Sequence, residues 1–108
     1  MTEYVSPDIA FVERGLEQHK RVEAFRRVDD RRYIIDRRGI PSLTVVFLKE
    51  YELTADHVRT AFSRYQHFDA VVITNPNGNP TSSAESAASS MGVSIYKWGT
   101  FLGALNKT

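Results

Sequence analysis

Two carboxylates and an amine are the first residues in this chain with the means to do chemistry. Glu23 and Asp36 lie on either side of the polar pair Asp29-Asp30. A two-residue turn at that pair would set Val28 across from Arg31 and, counting outward, Glu23 across from Asp36 on one face of a hairpin. Facing carboxylates repel unless a positive charge intervenes. The spacing therefore offers a cation site, with Lys49 nearby if the next strand pairs in suitable register. The same count sets Arg21 across from Arg38 and Arg27 across from Arg32, so diagonal salt bridges answer the repulsion equally well and are the favoured reading. A slip of one residue would remove the carboxylate pair altogether.

A second chemical possibility lies in the loop Asn75-Pro76-Asn77-Gly78-Asn79-Pro80-Thr81-Ser82-Ser83. It follows a strand-like run and opens a helix-like one, so its amides and hydroxyls, Ser82 among them, could receive a phosphate with help from the helix dipole. It contains neither lysine nor a P-loop pattern, and capping alone would account for Ser82. His19, His57 and His67 lack metal-ligand spacing. Tyr96 and Trp98 share a face if residues 93–98 are extended, where they could stack on bases or, as we favour, close the core beneath a last helix. No glycine-flanked nucleophile elbow is present.

The elements that must position these groups alternate. Ser6-Pro7 is a helix start, and Ile9, Val12 and Leu16 recur at helical spacing over residues 8–20. Strands are expected at 21–28 and 31–36, and at 42–49, where Thr44-Val45-Val46-Phe47 is β-branched and aromatic. Thr54 caps a helix over 55–66 with Val58, Ala61, Phe62 and Tyr65 on its inner face. The consecutive apolar residues of 70–74 predict a central strand covered on both sides. Ser82 and Glu85 fit a capping box for a helix over 82–91, which Gly92 ends. A strand at 93–97 and a short helix from Thr100 to Asn106 complete the order αβββαβαβα. The fold class is therefore α/β, a mixed sheet with helices on both faces.

With 108 residues, 42% hydrophobic and 25% charged, one soluble domain spanning residues 1–108 is expected. No apolar run approaches the roughly 20 residues that span a bilayer, the first residues lack a secretory pattern, and there is no cysteine. A cytoplasmic location and no membrane partner follow as expectations. The net charge is only +1, which does not announce a nucleic-acid binder. Arginines cluster as Arg26-Arg27, Arg31-Arg32 and Arg37-Arg38, but Glu13, Glu17, Glu23, Asp29, Asp30 and Asp36 are interspersed, as on a salt-bridged surface.

The element order, with Val45-Val46-Phe47-Leu48-Lys49-Glu50-Tyr51 and Val71-Val72-Ile73-Thr74-Asn75, resembles the restriction-endonuclease-like superfamily, in particular its Mrr-like branch. The resemblance runs from the first helix to Leu105. It implies a restriction-endonuclease-like core in which an aspartate on the second strand, and a Glu or Gln two residues before a lysine on the third, hold a divalent cation for phosphodiester hydrolysis. Lys49 matches that lysine, but Phe47 stands where the acid would be. An ungapped reading puts Ile34 or a neighbour at the aspartate's position, and Asp36 takes that role only with a somewhat shorter connection than usual.

The resemblance implies a nuclease-derived domain that no longer cleaves and that binds nucleic acid, DNA in the first instance, or helps assemble a nucleic-acid-processing system. Arg27, Arg32, Arg37, Arg38, Lys49 and Ser82 would contact it, and no cofactor is needed. One alternative is an active Mg²⁺-dependent DNase with Asp36 and Lys49 catalytic and Glu23 and Asp36 on the metal, or with Glu50 recruited. Another is a small protein-interaction or inhibitory module of a mobile-element or defence system, acting on a protein partner or as a homodimer through a sheet edge.

Overall fold

The computed structural model describes residues 6–106; the first four residues, read above for a leader, lie outside them. The chain opens with helix α1 (Pro7–Gln18), then forms the meander β1 (Val22–Arg27), β2 (Arg32–Arg37) and β3 (Ile40–Leu48). The short β4 (Glu52–Leu53), α2 (Ala55–Tyr65), β5 (Ala70–Ile73), β6 (Asn79–Pro80), α3 (Ser82–Ser90), β7 (Ser94–Lys97) and α4 (Trp98–Ala104) follow. The main sheet has the order β1-β2-β3-β5-β7. Its first two junctions are antiparallel and its last two parallel. The mixed α/β class is therefore as expected. A second, parallel pair joins β4 to β6; two residues per strand leave no periodic signal to detect.

Alternation along the strands sorts the core into two layers. Val45, Phe47 and Val72, with Tyr33 and Ile35, pack under Ile9, Val12 and Leu16 of α1 and Phe101 of α4. Val46, Val71 and Ile73 face the other way, against Val58 and Ala61 of α2 and Ala84, Ala87 and Ala88 of α3. All four residues of β5 are buried, as its uniformly apolar sequence requires. The small side chains of α3 let it lie close to α2. Among the described residues no helix is long and apolar enough to cross a membrane.

The hairpin register departs from the two-residue turn. Val28 and Asp29 both donate backbone N–H bonds to the Arg32 carbonyl, at 2.9 and 3.3 Å, so residues 28–31 form the connection. Arg27 then faces Tyr33, where Arg32 was expected, and Ala24 faces Asp36, where Glu23 was expected. The ladder shifts between Val22 and Ala24, which makes Glu23 the extra residue of a bulge. Below the bulge the expected count returns, and the Arg38 amide donates to the Arg21 carbonyl at 2.8 Å. The Glu23–Asp36 carboxylate pair is thus not formed, because one added turn residue and one bulge each move the register by a single step.

Three helix starts also differ from expectation. The Ser6 hydroxyl donates to the Asp8 carboxylate and caps no amide. Thr81, one residue before Ser82, caps α3 by accepting from Ala84 N at 3.0 Å. α4 begins at Trp98, with Lys97 as its N-cap, so Trp98 is helical and Thr100 lies within the helix. Thr54 does cap α2, in a reciprocal box with His57.

Gly15 illustrates the close fit of α1 to α4. A Cβ there would stand 2.5 Å from Trp98 Cζ2, in an indole that also packs on Phe11, Phe47 and Phe101. Gly15→Ala should therefore destabilise by about 1–3 kcal/mol despite alanine's better helix propensity. Denaturant unfolding checks it, and a stabilised variant would show that the ring yields freely.

Candidate functional site

Every helix begins at one end of the main sheet. α2 and α3 follow the carboxyl ends of β3 and β5 through short connections, and α4 follows β7 directly. α1 is tied there by a hydrogen bond from Thr74, just past β5, to its Asp8 at 2.7 Å. In open α/β sheets, ligands bind outside the carboxyl ends of the strands. Four helix N-termini add positive potential there, partly offset by Asp8, Asp56 and Glu85 in the first turns.

Asp8 is the hub of this end. Its carboxylate accepts from Ser6, Thr74 and the Arg31 guanidinium, and both Asp8 and Arg31 side chains are only 16% exposed. Burial pulls the Asp8 pKa upward and is the largest single influence. The bonds from Ser6 and Thr74 and the charge of Arg31 together outweigh it, so the group is held below the usual carboxylate range. Arg31 also donates from Nε to the Phe47 carbonyl at 2.6 Å, and Phe47 N donates to the Arg31 carbonyl at 2.9 Å. The first helix, the start of β2 and the end of β3 are thereby locked together.

Lys49, one residue beyond β3, is exposed, and among the described residues it has no hydrogen-bond or ion-pair partner. Its neighbour Glu50 lies 3.7 Å from His57 Nε2. Lys97, at the end of β7, donates to Asn79 Oδ1 at 3.3 Å. Two residues before Lys49, Phe47 is wholly buried, with ring centroids 5.5 Å from Tyr33, 6.3 Å from Trp98 and 5.9 Å from Phe101.

The site residues expected from sequence divide between two ends of the molecule. Asp36 accepts from Ser42 Oγ at 2.8 Å, beside the Arg37–Ile40 pairing that begins β3. Lys49 follows the last residue of that nine-residue strand. At about 3.3 Å per residue this separates them by roughly 25 Å, so neither Asp36 nor the bulged Glu23 reaches Lys49. Arg37 and Arg38, which donate to the Pro41 and Lys20 carbonyls at 2.9 and 3.1 Å, share the distal end.

Arg32 lies at the Lys49 end but is engaged, donating to the Tyr65 carbonyl at 2.6 Å and pairing with Asp29 at 2.8 Å. Arg27 is half-buried on the α1 face of the hairpin, and Ser82 is exposed at the start of α3. Among the described residues no group of three or more His, Asp or Glu side chains could hold a metal ion. Tyr96 packs on Phe101 at 6.0 Å and Trp98 is half-buried over the same ring, the packing role favoured for both.

Asp8, Arg31 and Thr74 were not singled out by sequence. Asp8 reads as an ordinary first-turn acid and Arg31 as one of six paired arginines. The antiparallel placement of β2 and the parallel placement of β5 beside β3 bring the three together. Comparison with protein-family models, curated proteins and solved structures yields no match.

Proposed function

We propose that the chain is a nuclease-derived domain that has lost cleavage and binds nucleic acid through the carboxyl end of its sheet. One observation carries this. Lys49 stands exposed at the end of the third strand and unpaired among the described residues, while the side chain two residues before it is sealed in an aromatic cluster. An amine able to meet a phosphate is retained, and the oxygen donor that a cation would need beside it is replaced by a ring. The meander running into parallel strands, with the first helix docked over the meander, supports the ancestry. Asp8, an acid close to this end, is neutralised by Arg31, which lowers the negative potential a phosphate would meet.

The test is fluorescence anisotropy with labelled duplex and single-stranded oligonucleotides over a salt series. Binding should weaken steeply as salt rises, because phosphate neutralisation releases counterions. Lys49→Ala should weaken it on all sequences alike and reduce the slope by about one. Plasmid DNA incubated with Mg²⁺ or Mn²⁺ should stay intact. Absence of binding at low salt would remove the proposal, as would nicking that disappears in Lys49→Ala.

A further inference from the structure

A pocket of about 230 Å³ opens beside the end of β3. Leu48 and Glu50, the residues on either side of Lys49, both line it. Leu48, Ala61 and Tyr65 give it a mainly apolar wall, and Glu50, His57 and Arg64 stand around the rim. The volume falls below the roughly 300–1,000 Å³ of pockets that take drug-sized molecules, so its occupant is a single small group.

The charges around it argue against a bare phosphate. Arg64 donates to Asp30 at 3.0 Å, and Arg31, which also reaches the pocket, is paired with Asp8. Glu50 faces His57. Each arginine is therefore answered by a carboxylate, and Asp56 on the lining pairs with Arg59, which leaves largely compensated charge around an apolar interior. That combination suits a neutral planar heterocycle with both donors and acceptors on its edge. Glu50 can accept from its N–H groups and Arg64 can donate to its ring-nitrogen acceptors. The Arg64 guanidinium, 5.2 Å from the centroid of the Tyr65 ring, adds a flat surface of the kind bases stack on.

We propose that this pocket receives one unpaired nucleobase of a bound strand while the adjoining phosphate rests on Lys49. This rests on the nucleic-acid reading above and makes it specific: the domain favours a strand with a base free to leave the stack. Anisotropy titrations should compare three probes, a fully paired duplex, the same duplex with one bulged adenosine, and the same duplex with an abasic bulge. The abasic probe reproduces the backbone distortion without the base.

The adenosine bulge should bind about fivefold or more tighter than the abasic bulge. Thr60→Met, at an exposed position of α2 that borders the pocket, should fill it with a flexible apolar chain. That variant should abolish the difference and leave the paired duplex bound as before. Equal affinity for the two bulges, or an undiminished difference in a folded Thr60→Met protein, overturns the pocket while leaving phosphate binding in place. No binding to any of the three probes overturns both readings.

Discussion

Phe47→Glu, which would place an acid two residues before Lys49, should abolish cooperative folding and confer no cleavage. Phe47 is fully buried among Tyr33, Trp98 and Phe101. Truncating such a ring costs about 3–5 kcal/mol through lost burial and the space left behind. A carboxyl group without hydrogen-bond partners in that wall adds several kcal/mol more, whether it stays charged or takes up a proton. A domain of this size has a total stability of about 5–15 kcal/mol, most of which would be lost. Phe47→Leu keeps the position apolar and should cost only about 1–1.5 kcal/mol. Circular dichroism and thermal melts of the two variants side by side make the measurement. A well-folded Phe47→Glu protein that takes up Mg²⁺ and nicks plasmid DNA would mean that the aromatic wall can open into a metal site.

Asp8→Ala should destabilise the domain by about 2–3 kcal/mol. It removes the acceptor of three donors and leaves the Arg31 guanidinium largely buried without its counter-charge. For a chain of about 100 residues that lowers the melting temperature by roughly 10–20 °C. Asp8→Asn, which keeps one acceptor oxygen, should fall between the variant and the native protein.

The effect has a pH signature of definite sign. The folded pKa of Asp8 lies below the ordinary value of 3.8, so its stabilising contribution is fully present above that value and is lost as pH falls through the folded pKa. The stability gap between native and Asp8→Ala should therefore be constant near neutrality and narrow in acid. A gap that widens in acid, or a variant as stable as the native protein at pH 7, would show that the Ser6, Arg31 and Thr74 bonds do not hold this end of the fold together.

Much of the architecture was legible without coordinates, and the reason is periodicity. Ile9, Val12 and Leu16 repeat at helical spacing, Val58, Ala61 and Tyr65 do the same in α2, and the uniformly apolar β5 announces a strand covered twice. Tertiary packing preserves such patterns because each is the trace of a buried face. Legibility stops at single-residue decisions. The hairpin could have turned on two residues or on one more, and the local chemistry of Asp29-Asp30 does not choose. The added residue sets Ala24, in place of Glu23, across from Asp36, and the bulge at Glu23 restores the count below it. The β4–β6 pair escapes for the opposite reason: two residues per strand carry no period at all.

By itself the sequence determined the order of the main elements, the mixed α/β class and the apolar identity of the residue two before Lys49, because these follow from local patterning of side chains. Which charged groups share an end of the sheet was decided only by the tertiary structure. Asp8, Arg31 and Thr74 meet because β2 runs antiparallel and β5 parallel to β3, which returns three distant segments to one edge. Asp36 is carried to the far edge by the same geometry. Strand direction and register are collective properties of the packed sheet, since they are settled by which faces must be buried together and not by any one residue's preference.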